Sequence, residues 1–172
     1  MRVHIATDHA GLELSRYLVE QLTAAGYDLV DHGPTDYDAL DDYPAFCVSA
    51  ALAVRTDREQ ELDSLGVVLG GSGNGEQMAA NKVAGIRAAL AWSLETARLA
   101  RRHNDAQVVA LGGRQHPREE ALAIVRAFLA EPFPGDERHV RRIGQIAEYE
   151  ATGTISGKLE GLRPREHPAR EG

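Results

Sequence analysis

The chain has 172 residues, enough for one sizeable core, and reads as one domain. Hydrophobic residues at 43% and charged residues at 26% exclude a wholly disordered or fibrous chain. A formal net charge of −7 excludes broad electrostatic attraction to nucleic acid or an anionic membrane, so an anionic ligand must be met by a local basic pocket.

The first predicted strand is "RVHIAT", followed by a helix over 10–25 in which Leu12, Leu14, Leu18, Val19 and Leu22 recur at largely helical spacing. Gly26 ends that helix, "YDLVDHG" is the second strand, and the acidic turn at Asp41 and Asp42 leads into a helix over 43–56. Cys47 lies within this apolar stretch. As the only cysteine it forms no disulfide within the chain and reads as a buried core thiol, far in sequence from any catalytic motif. "LGVVLGG" is the strongest strand. A helix over 75–83, strand 86–91, helix 93–102, strand 107–112 and helix 117–130 follow, with Pro117 suited to a first helical turn.

Five strands alternating with helices predict a three-layer α/β fold, a five-stranded parallel sheet covered on both faces. In such a fold, functional groups gather in loops beyond the carboxyl ends of the strands. "EPFPGDE" breaks the pattern before a further helix over 137–150. Residues 1–150 are therefore expected to form one α/β domain that includes this last helix, and 151–172 a mobile tail with little apolar content. "MRVHIATDHAG" has no secretory apolar core and no run reaches membrane-spanning length, so a cytoplasmic location without a membrane partner is the expectation.

The loop "LGGSGNGE" follows a strand and opens a helix, so its backbone N–H groups are placed to stabilise an anion. It lacks the Gly-Lys-Ser/Thr of a P-loop, and Gly71, Gly73 and Gly75 miss the dinucleotide spacing. A tight strand-to-helix turn is an equal explanation until Glu76 is considered. A carboxylate there repels a resident phosphate but suits an anion created during reaction. Glu76 can remove a carbon-bound proton while Ser72 and the loop amides stabilise the oxygen-centred charge that develops. A phosphorylated substrate would then keep its permanent charge away from Glu76.

Asp8 and His9 end the first strand, where they suit hydroxyl binding or proton shuttling, or a simple helix cap. The second candidate histidine, His103, lies in "RRHNDAQ" between a helix and a strand, where Asn104 and Asp105 could simply form a turn. Arg138 and Arg142 share a helix face that could clamp a phosphate with Arg114, or be paired with Glu137 and Glu148 on a solvated surface. The seven histidines offer no HExxH or similar spacing, so no metal and no cofactor is expected.

Taken in order, "ATDHAG", "GGSGNGEQMAANK", "RRHNDAQVVALGGR" and "RHVRRI" resemble the type B ribose-phosphate and galactose-6-phosphate isomerase family over about residues 2–150. The resemblance implies a doubly wound, Rossmann-like subunit in a homodimer or dimer of dimers with shared active sites. It implies metal-free interconversion of D-ribose 5-phosphate and D-ribulose 5-phosphate in the pentose phosphate pathway. On this sequence it makes Glu76 the proton-transfer base, with Ser72 and the loop Gly71, Gly73, Asn74 and Gly75 around a cis-enediolate. Asp8, His9 and Asn104 would contact the sugar, and His103 would help open the furanose ring, a role for which Asp8 competes. Arg114, Arg138, Arg142 and the neighbouring His139 would hold the phosphate. One branch of the family carries a Cys base where this sequence has Gly70, and lacks the acid at Glu76; this chain resembles the other branch. A hexose 6-phosphate isomerase and a noncatalytic sugar-phosphate sensor are the competing readings.

Overall fold

A computed structural model of the protein describes residues 1–156. Its parallel strands are β1 (Arg2–Thr7), β2 (Asp28–Asp31), β3 (Ser64–Gly70), β4 (Ala88–Leu90) and β5 (Val108–Gly112), in the spatial order β2-β1-β3-β5-β4. The chain thus starts in the middle, winds outward one way to β2, then crosses to β3 and the other half, the doubly wound arrangement expected. β3 pairs with β1 from Arg2↔Ser64 to Thr7↔Leu69 and with β5 from Gly66↔Val108 to Gly70↔Gly112. That register brings the ends of β1, β3 and β5 level at one edge of the sheet.

Helices α1 (Leu12–Ala24), α2 (Tyr43–Glu59), α3 (Asn74–Ala80), α4 (Leu94–Asn104) and α5 (Arg118–Ala130) connect the strands, and α6 (Glu137–Thr152) follows them. Because side chains alternate across a strand, β3 sends Leu65, Val67 and Leu69 to a core shared with Leu18 and Leu22 of α1 and Phe128 of α5. Val68 faces the opposite core, with Cys47, Ala51 and Val54 of α2. All seven residues of β3 are buried, as its near-continuous apolar run requires of a central parallel strand. Truncating Leu18 or Leu22 to Ala would cost about 2–5 kcal/mol in lost burial and cavity formation.

Several element ends differ by a few residues from the predicted ones, and for three elements the cause is visible. α1 starts at Leu12 rather than 10 because Asp8 takes the preceding amides: its Oδ1 accepts from Ala10 N and its carbonyl from Gly11 N. α3 stops at Ala80, after which Lys82 and Val83 donate to Ala79 and Ala80 in tighter turns. β4 shrinks to three residues because Asn81 binds both Ala88 N and Ala88 O, and Gln107 Oε1 accepts from Arg87 N. Side chains there satisfy groups that a longer edge strand would offer to a ladder.

α6 runs two residues into the segment expected to be a tail, and Ser156 folds back on it through Glu148. The rest of that expectation, 157–172, lies outside the described residues. α6 is amphipathic yet buries only His139, while Val140, Ile146 and Tyr149 are 50%, 51% and 57% exposed.

Candidate active site

Three strand ends build the first half of the site. Gly113 N donates to Gly70 O at 2.6 Å and Arg114 N to Gly71 O at 3.3 Å, so the turn after β5 is bolted to the glycine loop after β3. Gly73 has φ +81 and lies so close to Leu111 that a Cβ would meet its backbone carbon at 2.8 Å. Only glycine suits both the left-handed conformation and the close approach. Among the described residues, the N–H groups of Gly71, Ser72 and Gly73 have no hydrogen-bond partner, which leaves them for a ligand. Ser72 Oγ is exposed and accepts from Asn74 N at 3.4 Å and Asn74 Nδ2 at 3.3 Å.

Glu76, in the first turn of α3, points back into this loop. Its side chain is buried, and a Cβ built on Gly70 would fall 1.8 Å from Oε1 and 2.1 Å from Cδ. The carboxyl group therefore occupies the space that any side chain at position 70 would need. Burial pushes the Glu76 carboxyl above its ordinary pKa, and the negative charge of Asp8 adds to the shift, although a backbone hydrogen bond works against it. A carboxylate so raised is a stronger proton acceptor and titrates nearer neutrality, as a general base requires.

Cys47 is a correction in space to its remoteness in sequence. Its thiol sits in the α2 core close enough to Glu76 and Asp8 to feel both charges, and burial foremost, then those carboxylates, push it up to about 12. It is a neutral thiol at physiological pH, not an alternative nucleophile.

His9 lines a cleft of about 500 Å³ with Arg16, Tyr37, Arg114 and Arg118. Of these, sequence reasoning missed Arg16, Tyr37 and Arg118. His9 Nδ1 is 2.6 Å from Asp41 Oδ1. Asp8, His9 and Asp41 are the one group among the described residues with three ligand-type atoms within 4.8 Å of each other. The 2.6 Å contact is shorter than the ~3.3 Å that separates two ligands on a tetrahedral ion with bonds of about 2.0 Å, and fits a shared proton instead.

The remaining predicted residues assemble elsewhere. His103 and Asn104 end α4, ahead of the amino end of β5, at the opposite edge of the sheet from Glu76. His139 stacks on His103 with centroids 4.3 Å apart and planes 15° apart, and Arg138 Nε donates to His139 Nε2 at 3.2 Å. Burial, His103 and Arg138 all lower the pKa of His139, keeping a neutral ring beside the arginines. Arg142 follows one turn later, exposed, on the same helix. Among the described residues no hydrogen bond, ion pair or ring contact joins this group to Asp8, His9, Ser72, Glu76 or Arg114. None of Arg114, Arg138 and Arg142 forms an ion pair there either, so the solvated-pair alternative with Glu137 and Glu148 is not realised; Glu148 binds Ser156 instead.

Known proteins resemble this chain in sequence and in fold. A sequence model described as Ribose/Galactose Isomerase matches residues 3–146. Ribose-5-phosphate isomerase B of Mycolicibacterium paratuberculosis is 56% identical over 152 residues, covering 88% of this chain and 93% of its own. Among solved structures, ribose-5-phosphate isomerase B of Clostridium thermocellum has a TM-score of 0.82 at 40% identity, covering 90% of this chain and 100% of its own. The Mycoplasma genitalium ribose-5-phosphate isomerase B with bound ribulose-5-phosphate has a TM-score of 0.81 at 41% identity, covering 88% and 97%. With the family model matching residues 3–146 and relatives this similar along nearly its whole length, the chain belongs to the ribose/galactose isomerase family.

Proposed function

We propose that the chain is an aldose–ketose isomerase that interconverts D-ribose 5-phosphate and D-ribulose 5-phosphate, acting in the cytoplasm in the pentose phosphate pathway without a metal ion. The observation that carries the reading is the Glu76 carboxyl, buried against Gly70 and raised in pKa beside a loop of unpartnered amides. Glu76 takes the proton from C2 of the open-chain aldose and returns it to C1. Between those events the charge rests on a cis-enediolate, stabilised by Ser72 and the N–H groups of Gly71, Ser72 and Gly73, with Asn74 and Gly75 completing the loop around it. A proton passes from O2 to O1, leaving the carbonyl at C2. Ring opening comes first and needs one proton removed from the anomeric hydroxyl and one delivered to the ring oxygen, work for His103 with Asp8 near the sugar.

In this reading a second copy of the chain completes each site. Arg114, beside the glycine loop, and Arg138 and Arg142 of the partner copy clamp the phosphate, with His139, His103 and Asn104 arriving on the same surface. Two facts support a homodimer: the predicted residues fall into two separated halves, and α6 carries exposed Val140, Ile146 and Tyr149 with only His139 buried.

The direct test is turnover of ribose 5-phosphate by wild type and Glu76→Gln, with chelator present and folding checked. Wild type should turn over, and the variant should lose about 10²–10⁴-fold in kcat with ligand binding retained. Binding without turnover of any aldose phosphate would point to a sensor, and preference for a hexose 6-phosphate to a hexose 6-phosphate isomerase.

A further inference from the structure

Asp41 belongs to the loop between β2 and α2, 32 residues from His9, and nothing in the proposed reaction uses it. Its Oδ1 accepts two hydrogen bonds from the same residue, His9 Nδ1 at 2.6 Å and His9 N at 3.1 Å. Its side chain is only 9% exposed, and among the described residues Oδ2 is buried with no hydrogen-bond partner. A carboxylate oxygen left unpaired inside a protein is a stability cost, since desolvation is not repaid by a bond. A loop selected for stability alone would not hold an acid this way. From the other side, Tyr37 of the same loop sets its ring edge-on to His9, with centroids 5.8 Å apart and planes 85° apart. The loop therefore holds one imidazole at its Nδ1 and packs a perpendicular tyrosine ring against it.

We propose that Asp41 is a positioning residue that fixes the tautomer and orientation of His9, so that bare Nε2 faces the cleft as an acceptor for a sugar hydroxyl. The reason is the chemistry of the contact. A carboxylate only accepts, so Nδ1 must carry the ring proton, and in the neutral imidazole the lone pair then lies on Nε2. Free imidazole side chains favour the opposite tautomer, which would present a donor to the same hydroxyl. The loop also spares the substrate the ordering of a ring that is otherwise free to rotate. Because the cleft that His9 lines also holds Arg114, the bound hydroxyl lies on the phosphate side of the sugar. This role in substrate binding rests on the isomerase reading; the tautomer does not.

Two measurements test it. The first needs no substrate: ring ¹⁵N–¹H correlation spectra of the full chain, at a pH where His9 is neutral, in wild type and Asp41→Ala. Wild type should show the Nδ1–H form and the variant a shift to Nε2–H. A wild-type ring already in the Nε2–H form, or a variant that keeps Nδ1–H, overturns the proposal. The second is steady-state kinetics on ribose 5-phosphate. Asp41→Ala should raise KM about tenfold, or about 1.4 kcal/mol, with kcat changed by less than about threefold. Asp41→Asn, which keeps the Oδ1 acceptor, should restore most of that loss. In a His9→Ala background Asp41→Ala should have no further effect on KM, since its action passes through the ring. Equal losses in both backgrounds, or a fall confined to kcat, would show that Asp41 acts on the fold or the chemistry instead. If wild type turns over no sugar phosphate the isomerase reading fails, while the spectra still decide what Asp41 does to His9.

Discussion

Replacing Gly70 with Ala adds one carbon and should cripple the enzyme without unfolding it. The new Cβ would sit 1.8 Å from Glu76 Oε1, whereas ordinary contact begins at 3.4 Å, so the carboxyl must retreat by about 1.6 Å. Gly70 closes a strand and does not have the left-handed backbone that would make Ala strained in itself. The whole cost therefore falls on Glu76. A displacement near 1 Å at a reacting group costs about 10²-fold in rate, so a fall in kcat of about 10² to 10³-fold is expected, or roughly 3–4 kcal/mol of barrier. The assay is ribulose 5-phosphate formation, with a thermal melt to confirm the fold. Expelled toward solvent, Glu76 should also lose its burial shift, moving the acidic limb of the pH–rate profile downward. A folded variant with kcat within threefold of wild type would refute the reasoning, because it would mean the carboxyl does not act from this place.

Glu76→Gln carries a stability signature besides its loss of rate. Since burial raises the Glu76 pKa, the native state holds a proton that the unfolded chain releases, and that contribution fades as pH rises through the raised folded value. The variant should melt higher than wild type above that window and converge with it below about pH 4; a gap independent of pH in calorimetry would contradict this. Cys47, buried and pushed up to about 12, should resist thiol reagents at pH 8 in the native protein and react fully once denatured; rapid native labelling would contradict the packing. Glu76→Gln and Arg142→Ala should each be nearly inactive alone, yet co-refolded mixtures should regain about a quarter of wild-type activity, because half the dimers are hybrids with one intact site. No recovery in verified hybrids would place all site residues in one chain.

Secondary structure was legible because each strand is apolar on both faces or bounded by glycine, and each helix shows its stripe. β3 reads as a central strand from "LGVVLGG" alone, since all its side chains are buried. What remained hidden depends on distance across the fold. Asp41 reads as one acid in an acidic turn before α2, and no spacing signal joins it to His9 across 32 residues. Cys47 and Glu76 lie 29 positions apart, yet the sheet brings them within electrostatic reach. The resemblance marks Gly70 as a departure, but the reason for glycine there is a shared volume, visible only in the folded chain, where the Glu76 carboxyl fills the space beside it. Likewise the sequence names Arg114, Arg138 and Arg142 together, whereas the fold of one chain sets Arg114 apart from the other two.

A 16-residue helix that buries one side chain is barely committed to being a helix at all. Isolated helices of that length are marginal in water, and in a lone chain α6 is held to the domain mainly by the stack of His139 on His103 and by one hydrogen bond from Gly85 N to Glu150 Oε2 at 2.8 Å. Its order then becomes a thermometer of association. Amide hydrogens along 137–152 should exchange quickly in dilute protein and slowly in concentrated protein, while those of β3 keep their protection throughout. In the proposed dimer, Arg138 and Arg142 would thus be ordered only in chains that have found a partner, which would couple the appearance of activity to protein concentration during synthesis.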